Sequence, residues 1–238
     1  MNQINVQYYK TKIGELIQGS YSGKLCLLDF RYRRMRTTVD NRLKKGLNAE
    51  FVEQNDDVLS QTRIQLDEYI NGDRTCFDIP TLMVGTEFQK DVWVALMHVP
   101  YGKTNTYLDL AKTINNEKSV RAVASANGAN SIALIIPCHR IIGSDGELVG
   151  YGGGIQVKKR LLKLEQNNQP QGDDWKYNFI GNRSVKYDGL FFTAVKTTGV
   201  FCKPSCRARK PNRENVIFYD TKEVAVKNRF RACKICKP

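Results

Sequence analysis

The sequence lacks any long apolar run and any leader-like start, and both absences bear on location. No stretch of its 238 residues approaches the roughly 18 to 20 consecutive apolar residues that a transmembrane helix needs. Residues 1–5 do not show the basic-then-apolar pattern of a secretion signal. We therefore expect a cytoplasmic protein with no membrane partner.

Histidine is scarce, and the cysteines are odd in number. The chain has two histidines and seven cysteines. An odd count in a reducing compartment argues against a disulfide framework. Cys26 and Cys76 lie in apolar, strand-like segments, so we interpret both as inert core residues. Four other cysteines form two close pairs near the C-terminus, which leaves Cys138 to be explained.

Acidic residues are in deficit, and the deficit is uneven along the chain. The net charge is +13, and residues 171–238 alone carry 15 Lys and Arg against 6 Asp and Glu. Such an excess attracts a polyanion such as DNA or RNA, although a merely solubilising surface explains it equally well. A second basic segment at 31–45 is opposed within the segment only by Asp40. We interpret that segment as a solvated face.

Hydrophobic periodicity outlines the first half of the chain. Residues 6–31 are typical of β-structure with a turn at 21–24, and residues 57–70 are typical of a helix that ends at Gly72. Thr86 is positioned to cap a helix that ends before Pro100.

Further helices are predicted after Pro100. A capping box starts at Thr106, and Ser119 is suited to cap a helix ended by Gly128. These two short helices have helix-turn-helix spacing, which any pair of antiparallel helices can also show.

The remainder of the first 170 residues leads to Cys138 and then to a boundary. Residues 131–136 are predicted to form a buried strand that runs into Pro137-Cys138-His139-Arg140, and residues 155–165 to form a helix. The polar stretch at 166–174 has no periodicity and is the predicted domain boundary. We find no internal repeat.

The Cys138–His139 step is the first candidate for chemistry. A thiol attacks carbon as its thiolate, and a free cysteine with a pKa of about 8.5 needs a base or a positive environment at neutral pH. Adjacent side chains on an extended backbone point apart, so the pair would need a turn or a bridging water. Adjacency alone leaves an ordinary structural cysteine open.

The wider pattern resembles a known family. From about residue 86 to 165 the sequence is similar to the O6-alkylguanine-DNA alkyltransferases. The similar segments are Pro100-Tyr101-Gly102-Lys103-Thr104, Thr106-Tyr107, Arg121-Ala122-Val123, Ile135-Ile136-Pro137-Cys138-His139-Arg140-Ile141-Ile142, Gly150-Tyr151-Gly152-Gly153-Gly154 and Lys158 to Glu165.

The resemblance implies a role for each matching residue. Cys138 is the expected alkyl acceptor, His139 its base through a water, and Glu165 the group that orients the imidazole. Tyr107 is expected to crowd the target phosphate and to protonate the leaving guanine. The other implied roles are those of Arg121, which fills the gap left by the extruded base, Asn130, which braces the active-site turns, and Tyr151, which lines the guanine pocket.

The last cysteines have the spacing of a metal site. Cys202 and Cys206 form a C-x3-C pair, and Cys233 and Cys236 form a C-x2-C pair. Four thiolates in two such pairs predict one tetrahedral zinc ion. Basic residues around them, including Arg207 and Arg209, would favour thiolates and bind phosphates. Spacing alone leaves open a zinc ion that only holds a small module together.

This region resembles the zinc module of the Ada adaptive-response protein. The matching residues run from Phe192 through Thr197-Thr198-Gly199-Val200 and Pro204-Ser205-Cys206-Arg207-Ala208-Arg209 to Phe230-Arg231 and Cys233-Lys234. The resemblance implies that Cys202 both ligates zinc and accepts a methyl from a methylphosphotriester. In Ada the zinc module comes first and promoter-reading helices lie between the domains. Here the order is reversed and those helices are missing, so we do not expect transcriptional activation.

Together these patterns predict the organisation of the chain. We expect an α/β (α+β) N-terminal domain, then a winged-helix-like helix-turn-helix alkyltransferase domain, then a small zinc-bound α+β domain. The predicted bounds are 1–85 and 86–168 for the alkyltransferase parts, 169–174 for a linker, and 175–238 for the zinc module.

The predicted function is irreversible repair of alkylated DNA. We expect a monomer at the nucleoid that acts on double-stranded DNA carrying alkylated guanine or methylphosphotriesters. Transfer to Cys138 comes first, with Cys202 as the second acceptor. One alternative is a sensor of DNA methylation whose zinc module only binds DNA or signals. Another is a Cys-His hydrolase, which would form more product than protein.

Overall fold

The chain divides into two compact units in the computed structural model, which describes residues 2–168, 174–180 and 185–238. The first unit is Met1–Gln169 and the second is Pro170–Pro238. The linker predicted at 169–174 lies outside the described residues, apart from Asp174, at which a helix begins. Each unit has its own sheet and its own apolar core.

A four-stranded sheet opens the first unit. Its strands are β1 (Asn2–Thr11), β2 (Gly14–Tyr21), β3 (Lys24–Phe30) and β4 (Ala49–Glu53). The first three form antiparallel hairpins, and the second hairpin turn has Ser22 and Gly23 at φ of 48° and 72°, which suits a tight two-residue connection. β4 pairs parallel with β1, so the order is β3-β2-β1-β4. The β-structure predicted for residues 6–31 is confirmed.

One helix packs against each face of this sheet. They are α1 (Arg36–Leu47) and α2 (Asp57–Asn71). Leu16 and Ile17 are neighbours on β2 but belong to different apolar clusters, as the alternation of side chains along a strand requires. Leu43 of α1 packs into the cluster of Ile17, and Tyr69 of α2 packs into that of Leu16. The predicted end of α2 at Gly72 is confirmed by a left-handed φ of 90°.

The rest of the first unit is mainly helical. It contains α3 (Glu87–Met97), β5 (Asn105–Thr106), α4 (Tyr107–Thr113), α5 (Val120–Gly128), β6 (Ile141–Ile142) and α6 (Ile155–Asn167). Thr86 and Thr106 form the predicted capping boxes of α3 and α4. α4 and α5 pack together as a helix-turn-helix, and β5 pairs with β6. Trp93 of α3 donates to the Ala126 carbonyl at 2.8 Å and so anchors α5.

Three local predictions are wrong. Ser119 does not cap α5 with its side chain, because it ends a short 3-10 turn and its hydroxyl donates to the Asn116 carbonyl at 2.6 Å. Residues 131–136 are buried but form isolated bridges and a turn rather than a strand, with Leu134 at a φ of 71°. Cys76 is half-buried and lies outside any strand.

The second unit is a small α+β fold. Its elements are α7 (Asp174–Phe179), β7 (Phe192–Val195), β8 (Val200–Cys202), β9 (Val216–Tyr219), α8 (Lys222–Lys227) and β10 (Arg231–Ala232). The sheet order is β10-β8-β7-β9. Ala194, Phe201 and Ala225 join α8 to the sheet in one apolar cluster. Across the described ranges, no helix is both long and apolar enough to cross a bilayer.

Candidate active site and cysteine cluster

Cys138 begins a short 3-10 turn, Cys138–Arg140, immediately after the buried 131–136 segment. The predicted need for a turn at Cys138–His139 is met, since the backbone is not extended here. Cys138 is 8% exposed and lies at a pocket of about 260 Å³. Other residues that line this pocket are Asp29, Arg33, Tyr107, Asn130, Tyr151 and Gly152.

Asn130 holds the Cys138 turn in place. Its amide donates to Cys138 Sγ at 3.3 Å and to the Ile136 carbonyl at 2.9 Å, while its oxygen accepts from the Ile132 N–H at 2.9 Å. Burial raises the pKa of the Cys138 thiol, and the hydrogen bond from Asn130 opposes that shift. The resting thiol is therefore protonated at neutral pH and needs a base when it reacts.

His139 is buried completely and has one free ring nitrogen. Nε2 lies 2.8 Å from Glu165 Oε1, and Nδ1 is buried without a hydrogen-bond partner. Burial lowers the pKa of His139 although the Glu165 charge opposes that shift, so the neutral ring prevails at pH 7. An ionised Glu165 accepts the Nε2 proton, which leaves the Nδ1 lone pair able to take a proton.

Glu165 on α6 is the centre of a buried hydrogen-bond network. Arg140 donates to it through Nε and Nη2 at 2.9–3.1 Å, and the Gly102 N–H donates to Oε2 at 3.0 Å. Burial acts to raise the pKa of Glu165, but His139 and Arg140 outweigh burial and hold it far below its usual range. Sequence reasoning missed Arg140 as a partner, although it lies within the motif beside His139.

Two tyrosines predicted from the sequence share the pocket with Cys138. Tyr107 begins α4 and is half-buried, and burial together with the nearby Cys138 raises its pKa. The Tyr151 ring makes edge contacts with Phe30 at 5.6 Å and His139 at 6.3 Å, and its hydroxyl is buried without a partner. Arg121 is exposed on α5 and does not line the pocket.

Lys158 packs beneath the glycine-rich loop at 150–154 and binds the backbone at its start. Its buried ammonium donates to the carbonyls of Ile141 at 2.5 Å and Val149 at 2.7 Å, and burial lowers its pKa to about 8. The Lys158 to Glu165 segment therefore contributes two buried polar groups from one helix. Gly153 lies against Phe30 so closely that a side chain there would meet the ring at 2.6 Å.

Part of the basic segment at 31–45 is not the solvated face that we expected, although Arg34 and Lys45 are exposed. Arg33 donates to the carbonyls of Gly128 and Asn130, and Arg42 donates to that of Ala129 at 2.6 Å. Arg33 also pairs with the buried carboxylate of Asp29 at 2.5 Å. These cations satisfy the carbonyls at the negative end of α5 and so hold the segment that carries Asn130.

Arg33→Ala is expected to lower the free energy of unfolding by about 3 kcal/mol, since it removes a buried partner of Asp29 and leaves two carbonyls unpaired. Urea denaturation measures this loss. Arg31→Ala is the matched control, because the Arg31 pair with Glu15 lies at the surface and should contribute little. Equal losses for the two variants would show that α5 does not depend on Arg33.

The four cysteines of the second unit lie together. The sulfurs of Cys202, Cys206, Cys233 and Cys236 are all within 4.8 Å of one another. The Cys206 and Cys233 sulfurs are 3.9 Å apart, near the edge of about 3.8 Å expected for a tetrahedron with Zn–S bonds of about 2.3 Å. Backbone N–H groups of Lys203 and Ile235 donate to two of the sulfurs at 3.4 Å.

The electrostatics of this cluster fit a cation. Burial and the neighbouring thiolates raise the pKa of Cys202 well above its usual range, and the pKa of Cys236 to about 11. Four thiolates at this separation repel one another, and a divalent cation relieves the repulsion. Arg207 and Arg209 follow Cys206 and are exposed, so they are available to anions.

Family models cover nearly all of the chain. Residues 4–83 match the ribonuclease-like domain of 6-O-methylguanine DNA methyltransferase, and residues 87–167 match its DNA-binding domain. Residues 175–238 match the metal-binding domain of Ada. The fold class predicted from the sequence is thereby confirmed.

Individual proteins of the same family are also similar to this chain. The methylated-DNA–protein-cysteine methyltransferase of Methanosarcina mazei is 49% identical over 52% of this chain and 78% of its own. That of Methanosarcina barkeri is 40% identical over 67% of this chain and 95% of its own. The crystal structure of Mycobacterium tuberculosis OGT in complex with DNA is 36% identical, with a TM-score of 0.60 over 70% of this chain and 96% of the other.

A cysteine beside a helix-turn-helix, with a histidine–glutamate pair behind it, defines a group transferase that acts on DNA through a thiol. The chain belongs to the methylated-DNA–protein-cysteine methyltransferase family, in which the acceptor is a cysteine of the protein itself. Its function is the repair of DNA by transfer of the alkyl group to cysteine. An Ada-type metal-binding domain adds zinc binding to this activity.

Proposed function

We propose that Cys138 accepts the alkyl group from O6-alkylguanine in double-stranded DNA. The observation that carries this proposal is the Nδ1 of His139, which is buried without a hydrogen-bond partner in the residue that follows Cys138, a cysteine that lines the pocket. In the reaction the Cys138 Sγ–carbon bond forms as the carbon–O6 bond breaks. The bonding electron pair leaves with the guanine oxygen, and a proton neutralises the departing base.

The proton of Cys138 has a clear destination in this proposal. His139 Nδ1 takes it through one water, while Nε2–H remains bonded to Glu165. Arg140 balances the charge of Glu165, so the network needs only a transient imidazolium. Tyr107 is half-buried at the pocket with a hydroxyl that stays protonated, which suits donation to the leaving guanine.

The target base must leave the helix to reach Cys138. A base within a duplex is stacked and inaccessible, so extrusion and stabilisation of the vacated gap are required. Arg121 projects from α5, the second helix of the helix-turn-helix, and is exposed as a gap-filling residue must be. Tyr151 and the adjacent glycines would line the guanine in the pocket.

A thioether cannot be hydrolysed under these conditions, so each Cys138 should react once. Incubation of the protein with excess duplex carrying one O6-methylguanine tests this. We expect product equal to protein in moles and then no further reaction, measured by chromatography of the digested DNA. Continued product formation would instead support a hydrolase.

We propose Cys202 as a second acceptor, for methyl groups on DNA phosphotriesters. Its sulfur is half-buried within the four-cysteine cluster, which would hold one zinc ion. Bound zinc would keep the Cys202 thiolate nucleophilic at neutral pH without a base. The sulfur–carbon bond forms as the carbon–oxygen bond breaks, and the phosphodiester leaves as an anion. Arg207 and Arg209 are placed to bind neighbouring phosphates.

Cys206→Ser is expected to release zinc and to make residues beyond about 175 sensitive to trypsin, because a small module without its metal loses most of its cross-links. Zinc content and the pattern of limited proteolysis measure this. Cys76→Ser lies outside the cluster and should retain zinc. A zinc-free Cys206→Ser protein that resists trypsin as the wild type does would refute the structural role of the metal.

A sensor of DNA methylation is the alternative that the cysteine cluster itself favours. Alkylation of Cys202 removes a negative charge from a basic unit and would tighten DNA binding. Methyl groups on Cys202 with none on Cys138 would support this alternative. We further propose a monomer that acts on DNA in the cytoplasm.

A further inference from the structure

Tyr69 extends the catalytic network into the N-terminal part of the first unit. It lies on α2, is buried completely, and donates its hydroxyl proton to Glu165 Oε1 at 2.5 Å. The same hydroxyl oxygen is 3.4 Å from His139 Nε2. No motif around residue 69 signalled this contact, because 96 residues separate Tyr69 from Glu165.

Three side chains compete for one oxygen. Oε1 of Glu165 accepts from Tyr69, from His139 Nε2 and from Arg140. A carboxylate oxygen shares its negative charge among its donors, so each added donor weakens the hold on the others. Removal of the Tyr69 donor would strengthen the bond between Glu165 and His139. A stronger bond to a carboxylate favours the charged imidazolium.

We propose that Tyr69 is a positioning residue that keeps His139 neutral, and its Nδ1 free to accept a proton, by taking up part of the negative charge of Glu165 Oε1 that the imidazole would otherwise face. This role rests on the proposed function of His139 as the base for Cys138. It assigns to the N-terminal domain a part in proton transfer as well as in folding. Tyr69 acts through Glu165 and touches neither the substrate nor the reacting sulfur.

The charged and titratable groups that face His139 support this assignment. Glu165 of α6 favours the imidazolium, while Arg140 of the same turn and Lys158 of α6 oppose it. Tyr151 contacts the imidazole by its ring edge. Burial and the Glu165 charge raise the pKa of Tyr69 well above its usual value, so its hydroxyl remains a donor throughout the acid range.

Tyr101 provides a matched control for Tyr69. Its ring contacts that of Tyr69 edge-on at 6.0 Å, and its hydroxyl is buried without a hydrogen-bond partner. Tyr101→Phe therefore removes a buried hydroxyl from the same cluster without removing a donor to Glu165. Tyr69→Phe removes the donor and leaves the ring in place.

NMR titration of the His139 ring tests the proposal, with Tyr101→Phe as the control. We expect the His139 midpoint to rise by about 0.5–1 pH unit in Tyr69→Phe, as the loss of one hydrogen bond implies. The His139 midpoint of Tyr101→Phe should match that of the wild type. The acid limb of the single-turnover rate at Cys138 should shift with the His139 midpoint.

Two results would overturn the proposal. One is an unchanged His139 midpoint in a folded Tyr69→Phe protein whose stability has fallen, which would make Tyr69 purely structural. The other needs no variant: a wild-type His139 ring that is charged at pH 7 excludes the proposed role. Failure of the proposed function would be seen separately, as an absence of methyl transfer to wild-type Cys138.

Discussion

Cys138→Ala is expected to abolish methyl transfer from O6-methylguanine while it leaves the fold nearly unchanged. The substitution removes one sulfur, and the Asn130 amide that donates to it keeps its bond to the Ile136 carbonyl. The free energy of unfolding should therefore change by only about 1 kcal/mol. Among the residues that the structure describes, no second cysteine lines the pocket to replace the acceptor.

The measurement for Cys138→Ala is transfer of labelled methyl groups from a duplex with a single O6-methylguanine, together with thermal unfolding. Cys76→Ala is the matched control, because Cys76 is half-buried and lies outside the pocket. It should retain full transfer. Residual guanine repair by a folded Cys138→Ala protein would assign the acceptor to another residue.

Glu165→Gln is expected to have the largest effect on stability in the first unit, a loss of about 3–5 kcal/mol. The substitution leaves the buried Arg140 guanidinium without a counter-charge. It also places an amide N–H₂ among donors that face Glu165, those of Tyr69, His139 and Gly102. Methyl transfer should fall as well, because His139 loses the charged acceptor that orients its ring and stabilises the imidazolium.

The shifted pKa values of Glu165 and His139 determine how the free energy of unfolding changes with pH. The pKa of Glu165 is lower in the folded than in the unfolded chain. Glu165 therefore stabilises the fold above about pH 4.5, and this stabilisation is lost as the pH falls toward its folded-state pKa. His139 adds destabilisation below about pH 6.5, since the unfolded chain binds that proton more readily. Glu165→Gln should lose the first of these dependences.

Urea denaturation of Glu165→Gln at several pH values measures both effects. Glu68→Gln is the control, because Glu68 pairs with Arg74 at a side chain that is 41% exposed and should cost less than about 1 kcal/mol. If Glu165→Gln were as stable as Glu68→Gln, the buried hydrogen-bond network around Glu165 would not be a main source of stability in the first unit.

Local signals in the sequence predicted the elements well. The helix starts at Thr86 and Thr106 and the end of α2 at Gly72 are confirmed, because capping and left-handed glycine depend on a few adjacent residues. The strand predicted at 131–136 failed, since an apolar run specifies burial but not backbone conformation. There the chain turns at Leu134 and delivers Cys138 to the pocket.

Contacts distant in sequence could not be predicted. Arg33 reaches the end of α5 across 95 and 97 residues, and Tyr69 reaches Glu165 across 96. A single sequence holds no periodicity that links such positions. The four cysteines are different, because paired spacing reports a tetrahedral site directly, and the structure brings them together. The roles of Cys138, Arg121 and Cys202 remain predictions.

The function of this protein depends on which cysteines receive methyl groups from DNA. Peptide mass spectrometry after exposure of the whole protein to methylated duplex DNA answers it directly. We expect one added methyl on the peptide of Cys138 and one on that of Cys202, with none on Cys26 or Cys76. Methyl groups elsewhere, or a Cys138 peptide that stays unmodified while guanine is repaired, would contradict it.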